Sequence, residues 1–323
     1  MCMHAVKRFF LFFVFYAGVW SKANYVAALV DGRSFGLIKG YKPYQKASPA
    51  SLTKLMTLYL LFEALDRKIV TLDSVWSASL NASHQPPTHW GLKVGQKVTV
   101  RQCVLGIAVR SCNDMAVLVA EKLCGSVRRF VHSMNQKAQS LGLKNTRFSN
   151  PSGLYSVHQY STAYDMAVLI GKLCRHFPKY ASCLGIHTFP HHKQRLNNTN
   201  KLLDKVPGMC AGKTGFTSLS GWNLATVTVR NHQPMIAVVM GMNNAQVRNH
   251  HMKRLIESFY RCPGHLPRVL RAPTIHKQSN QGLMMKKKNV IDKKASVSIK
   301  KKPIQKKCRI KIRTVPTPKR RPR

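Results

Sequence analysis

Apolar and polar positions change period along the chain, and the changes divide it. Tyr25 to Asp31 reads as a strand, Gly32-Arg33 as its turn, and residues 34–38 as the return. From Ser51 the spacing predicts a long buried helix over 51–68, with Leu58, Leu60, Leu61, Phe62 and Leu65 in its apolar run. Residues 98–108 have helical spacing, which Arg110-Ser111 interrupts. Residues 114–123 resume as a helix that ends at Gly125. Ser126 caps another, through Phe130, Met134, Ala138 and Leu141, stopping at Gly142. Asn150-Pro151-Ser152-Gly153 is a turn cluster. Thr162 with Asp165 resembles a capping box for a helix through Leu173. Lys213 opens a strand-like segment. Beyond it, residues 221–230 and 234–242 form a hairpin about Asn231-His232-Gln233, and residues 245–260 a closing helix.

Strands therefore lie toward both ends of this region, with helices between. That order predicts an α+β fold: an antiparallel sheet formed from both chain ends, packed against a helical lobe, with a cleft between the two. A chain of 323 residues that is 44% apolar can bury one sizeable core and carry an appendage.

Both termini differ from the middle. Lys7 and Arg8 precede an apolar run from Phe9 to Trp20, and Ser21-Lys22-Ala23 supplies small residues, so 1–23 reads as a secretory signal peptide. The run is short for a membrane-spanning helix. At the other end, composition shifts at Pro263-Gly264. Residues 263–323 hold 20 basic side chains, one acidic (Asp292) and no aromatic. Such a segment cannot offset its ordering entropy, so 266–323 reads as a disordered Lys/Arg-rich tail. The domain between, 24–265, is also basic: 24–262 carries 30 basic and 9 acidic residues. Attraction to anionic surfaces is expected over the whole molecule. Without aromatics to stack on bases, and with a signal that exports the chain, the tail points away from nucleic acid and toward anionic phospholipid or lipopolysaccharide headgroups of the periplasmic envelope.

Of nine cysteines, Cys103, Cys124 and Cys174 fall in apolar helical patterns, which reads as buried free thiols rather than a disulfide framework. The histidine pairs His191-His192 and His250-His251 lack the i, i+4 spacing of a helical metal site. No metal and no cofactor is expected.

Three stretches carry candidate chemistry. Ser51 has a bland reading, a helix cap. It also has a sharper one: Lys54 lies one turn up on the same face, and a serine oxygen near an amine base is the minimum for an activated nucleophile. Ser111-Cys112-Asn113 sits at the break between two helical patterns, and Lys213-Thr214-Gly215 opens its strand-like segment. S-x-x-K, S-x-N and K-T-G in that order form the set found in penicillin-binding proteins and class A β-lactamases.

With those motifs, the chain resembles the D-alanyl-D-alanine carboxypeptidases, the low-molecular-mass penicillin-binding serine peptidases, over about residues 25–262. The match extends to Pro49 through Thr57, Ser111 through Asp114, Met134-Asn135, Leu141-Gly142, Asn150 through Leu154, Ser161 through Ala163 with Asp165, and Lys213 through Thr217. The resemblance implies a transpeptidase-like fold and hydrolysis of the terminal D-Ala–D-Ala bond of peptidoglycan stem peptides, with β-lactam antibiotics as covalent inhibitors. It implies Ser51 as nucleophile, Lys54 as its base, Ser111 as proton relay and Asn113 as holder of the substrate amide. Lys213 and Thr214 would take the terminal carboxylate, and Arg248 resembles a family arginine near it. Gly215 would let the substrate backbone approach, and the N–H groups of Ser51 and Phe216 would form the oxyanion hole. Many relatives continue into a second β-rich domain and an amphipathic anchor, whereas here a polycationic tail follows.

Three alternatives remain at this point. A D,D-endopeptidase on cross-links would use the same acyl chemistry. A class A β-lactamase needs a glutamate for deacylation, and no glutamate occurs between Glu121 and Glu257. A non-catalytic polyanion-binding envelope protein would need only the charge.

Overall fold

The computed structural model describes residues 25–191 and 194–261. The segments 1–23 and 266–323, read as signal and tail, lie outside the described residues.

Strand β1 (Val26–Asp31) is apolar on both faces. Val26, Ala28 and Val30 enter one core, while Ala27 and Leu29 enter another. A strand buried on two faces needs a layer on each side. Its neighbours are β2 (Leu37–Tyr41) and a strand from the far end of the chain, β9 (Gln233–Met242), with Val26 opposite Met240. The five-stranded sheet runs β2-β1-β9-β8-β7, with β7 (Met209–Thr217) at one edge and β8 (Gly221–Arg230) next to it. Every pairing in it is antiparallel. The predicted sheet from both chain ends is what forms.

The helical lobe fills one face. A 3-10 turn (Ala50–Thr53) leads directly into α1 (Lys54–Asp66). This helix is buried nearly all round, by Leu55, Met56, Leu58, Leu61 and Phe62 among others, as the axis of a core must be. Around it lie a small ribbon of β3 (Val75–Ser77) and β4 (Lys97–Thr99), the short α2 (Leu80–Ser83), and α3 (Val100–Leu105). A π-helical turn (Gly106–Arg110) then breaks the chain before α4 (Asn113–Cys124). Next come α5 (Val127–Ser140), α6 (Ala163–His176), α7 (Pro178–Ala181) and the hairpin β5 (Thr188–His191) with β6 (Gln194–Asn197). The other sheet face is covered by α8 (Ala245–Arg261), through Met252, Leu255 and Ile256.

Several local expectations change. Lys213 does not open its strand. β7 begins at Met209, and Lys213-Thr214-Gly215 lies in its middle. The capping box at Thr162 is half formed: Thr162 accepts from Asp165 N–H at 3.0 Å, but the Asp165 carboxylate turns to Asn145 N–H and the Thr146 hydroxyl. The complete box is at Thr99 and Gln102. Cys103 and Cys174 are buried as expected, whereas Cys124 is half-buried at the end of α4. The two short ribbons have too few residues for an alternation to show.

The β8–β9 hairpin closes through Asn231 and His232, at φ +48° and +59°, with Arg230 opposite Gln233. Both central residues are left-handed, the signature of a type I′ turn, in which glycine is favoured at the second position. A side chain at φ > 0 costs about 1 kcal/mol. His232→Gly should therefore raise stability by about 0.5–1 kcal/mol, or ~1–4 °C in Tm for a domain this size. A lower Tm would place His232 in an interaction beyond the turn.

Candidate active site

The three sequence stretches converge where the helical lobe meets the β7 edge. Ser51 sits in the 3-10 turn before α1, half-buried, and caps nothing: its backbone is helical and the turn has no side-chain cap. The cap reading is thereby corrected. Its Oγ is instead 3.1 Å from Lys54 Nζ. Ala50, immediately before, is at φ +47°, a conformation that costs an alanine about 1–2 kcal/mol. Strain of this kind persists only where the surroundings impose it. Here two glycines leave room for the close backbone approach. A Cβ on Gly153, at φ +83°, would lie 1.9 Å from the Ala50 carbonyl oxygen, and one on Gly215 would lie 2.9 Å from that of Pro49. The backbone of β7 runs directly against the Ser51 turn.

Lys54 is fully buried. Its Nζ donates to Asn113 Oδ1 at 2.7 Å and to the Ser152 carbonyl oxygen. Burial, then the nearby Lys213, push its pKa well below the lysine range. Asn113 is the first residue of α4. Its Nδ2 donates to the Pro86 carbonyl, and its own N–H to the Thr88 carbonyl. Ser111 precedes it at φ +67°, so the chain break predicted there is a left-handed residue between a π-helical turn and a helix. That conformation directs the Ser111 hydroxyl to Lys213, whose Nζ donates to it at 2.8 Å. Lys213 is also buried, and burial lowers its pKa to about 7. Cys112, between the two polar residues, is 1% exposed and packs in the core beneath them rather than in the cleft.

Thr214 donates to the Thr199 hydroxyl at 2.7 Å. Phe216 is exposed and stacks on Trp222, ring centroids 4.1 Å apart. Arg248 is 3% exposed and lies over the other partner of that stack, 5.7 Å from the Trp222 centroid. It donates to Asn223 O and Asn249 Oδ1, and burial lowers its pKa to about 10. Among the described residues, no carboxylate forms an ion pair with Lys54, Lys213 or Arg248. Lys213 and Arg248, two buried basic side chains without a counterion, make a site suited to an anion.

All nine residues singled out from the sequence are thus at or beside one cleft. Sequence reasoning missed the supports. The Asn150–Gly153 turn was visible, but not that its Ser152 carbonyl meets Lys54. Asn150 Oδ1 accepts from Ser152 N–H and Gly153 N–H, and Thr57 donates to Pro151 O. Thr199 gave no signal at all.

Residues 21–244 match the family described as D-alanyl-D-alanine carboxypeptidase (peptidase S11). The chain belongs to this family. It is 35% identical over 238 residues to D-alanyl-D-alanine carboxypeptidase DacA of Haemophilus influenzae, covering 71% of this chain and 60% of that protein. It is 33% identical to a D-alanyl-D-alanine endopeptidase of Pseudomonas aeruginosa, covering 66% and 70%. The structure of penicillin binding protein 5 from Haemophilus influenzae superimposes with a TM-score of 0.71 at 32% identity, over 73% of this chain and 70% of that one. The family's antiparallel-sheet-and-helix fold is therefore the fold of this chain. The chain spans about 60% of the length of several carboxypeptidase relatives it matches.

Lys213 gives a stability signature. Unfolded, its amine titrates near its ordinary 10.5; folded, burial holds it at about 7. Between those values the unfolded chain binds the additional proton, so stability rises with pH across that window. From pH 7 to 9 the urea midpoint of the wild type should climb more steeply than that of Lys213→Met. Parallel slopes would mean that Lys213 carries its proton throughout.

Proposed function

We propose that this chain is a serine-type D-alanyl-D-alanine carboxypeptidase that removes the terminal D-Ala from peptidoglycan stem peptides. One observation carries the reading: the partners of Lys54. The Asn113 Oδ1 and Ser152 carbonyl oxygens can only accept hydrogen bonds. A neutral amine has two N–H groups for them and one lone pair left over. The third neighbour is the Ser51 hydroxyl, which can donate. Buried and neutral, Lys54 presents that lone pair to the proton Ser51 must lose.

Ser51 Oγ then attacks the carbonyl of the penultimate D-Ala as its proton passes to Lys54. The oxyanion is held by the N–H groups of Ser51 and Phe216, which the close approach of the Ser51 turn to Gly215 brings together. The C–N bond breaks, and the leaving amine takes a proton through Ser111, which is bonded to Lys213. D-alanine departs, and water hydrolyses the ester to free the shortened peptide and Ser51. Asn113 holds the substrate amide. The terminal carboxylate is met by Lys213, Thr214 and Arg248, which have no carboxylate partner of their own. A penicillin would acylate the same serine.

The endopeptidase reading uses the same centre, and the Pseudomonas relative keeps it in view as the second choice. A β-lactamase of class A lacks its base here. Glu121 accepts from Ser79 and Asn81, Glu257 is paired with Arg230, and Glu63 with Lys137 and Arg67. A purely polyanion-binding role leaves three buried basic groups with lowered pKa and two strained residues without a purpose. We further place the enzyme in the periplasm: 1–23 exports it, 24–265 is the catalytic domain, and 266–323 tethers it to anionic envelope surfaces. Among the described residues no helix is long and apolar enough to cross a membrane.

Ser51→Ala should abolish both labelling by fluorescent penicillin and D-alanine release, with the fold intact. Continued labelling would remove Ser51 from the mechanism. Lys54→Arg keeps the charge but has no lone pair to offer at working pH, so acylation should drop by on the order of 10²-fold or more. Near-normal acylation would make Lys54 structural. For the tail, mature protein should co-sediment with anionic vesicles and be released by salt, as a polybasic segment does. A truncation after residue 265 should bind weakly and keep its rate on a small soluble D-Ala–D-Ala peptide. Equal sedimentation would move the contact to the catalytic domain.

A further inference from the structure

Asn223 lies on β8, fully buried, where neither packing nor the three motifs call for a polar residue. In register it faces Gly215 of β7. Because Gly215 has no Cβ, the space beside it is taken by the Pro49 carbonyl, and the Asn223 amide reaches that carbonyl. Its Nδ2 donates to Ser48 O at 3.0 Å and to Pro49 O at 3.1 Å. These two peptide groups lead directly into Ala50 and Ser51. Its Oδ1 accepts from Gly241 N–H at 2.9 Å. That N–H is outside the ladder, because the β8–β9 register shifts between Trp222 and Leu224, with Gly241 at φ +77°. A β-bulge of this kind re-aims a side chain. Finally, the Asn223 backbone carbonyl accepts from Arg248 Nη1 at 3.4 Å.

We propose that Asn223 is a positioning residue that fixes the Ser51 backbone N–H against the β7 edge, and so sets the geometry of the oxyanion hole. The inference rests on the carboxypeptidase reading above. An amide is required in this place. Two carbonyl oxygens and one N–H converge on it, and only a side chain with two donors and an acceptor satisfies all three. Packing alone does not call for it, since α1 and one face of the sheet already share an apolar core that holds Leu55 and Leu58 together with Ala28 and Val238. What Asn223 adds is a fixed distance between them at the one point where a developing negative charge must be met by donors from both. The same residue's carbonyl steadies Arg248, so the two ends of the substrate, its reacting carbonyl and its carboxylate, are referred to one side chain and its own peptide group.

The test uses the full-length protein and Asn223→Asp, an isosteric change that sets an oxygen against the Ser48 and Pro49 carbonyls. Misplacing reacting groups by about 1 Å costs on the order of 10²-fold in rate. We expect kcat for D-alanine release, and the rate of penicillin acylation, to fall by about that factor while KM changes little, the mark of an interaction made in the transition state. Asn223→Ser, which keeps one donor, should recover part of the loss. Thr226→Ala is the stability control: Thr226 is buried on the same strand, and its hydroxyl bonds Ala237 O. It should lower Tm without lowering kcat. A wild-type kcat in Asn223→Asp would overturn the inference, as would a kcat loss that tracks Tm equally in the Thr226 variant. So would loss of cooperative folding in both Asn223 variants, which would assign the residue to folding alone. Wild-type protein that neither releases D-alanine nor takes up penicillin would sink the carboxypeptidase reading instead, before any variant is compared.

Discussion

The structure turns on the burial of Lys54 without a carboxylate. An ammonium in a low-dielectric interior is costly unless paired. The protein does not pair it, and burial together with Lys213 pushes its pKa well below the lysine range. Everything around Lys54 suits the neutral form: two oxygens that only accept, a hydroxyl that can donate, and a second cation, Lys213, that disfavours charge. Placing it requires a helix buried on nearly every side. That in turn requires a lobe large enough to surround α1 and a sheet to close it.

The strained residues are the cost of bringing three chain segments to one point. Ala50 and Ser111 both hold left-handed backbones that their side chains disfavour. Ala50 immediately precedes Ser51, and Ser111, two residues before Asn113, turns its own hydroxyl to Lys213. The glycines at 153 and 215 are the complement. They remove side chains where two backbones press together, and the pressure fixes Ala50. Stability is spent at these positions to hold geometry, as expected of a functional site and not of a packed core.

The legible part of the sequence was that in which one residue type has one use. Long apolar spacing gave α1, α4, α5 and α6 within a few residues, and alternation with a turn gave the β8–β9 hairpin. Ser51, Lys54, Ser111, Asn113 and Lys213 were picked out by three short motifs taken as an ordered set, each weak alone, and their side chains come within hydrogen-bond reach of one another. Hidden were contacts through backbone atoms and across long separations. The Ser152 carbonyl carries no residue signature, and neither do the Ser48 and Pro49 carbonyls that Asn223 holds from 175 and 174 positions away. The β3–β4 and β5–β6 ribbons were missed because three or four residues cannot display a period.

Asp114 shows how narrow the electrostatic margin is. It is next to Asn113, 1% exposed, and near enough to draw the Lys54 pKa upward. A carboxylate free to turn toward that amine would favour its charged form and raise its pKa. It is not free. Its oxygens accept from the N–H groups of Trp90, Gly91, Leu92 and Met115. The carboxylate is thus taken up by the peptide N–H groups of the 90–92 loop and of Met115. The same bonds pin the loop whose Pro86 and Thr88 carbonyls receive Asn113. One buried carboxylate therefore orders the wall of the site while its field on Lys54 stays secondary to burial and to Lys213.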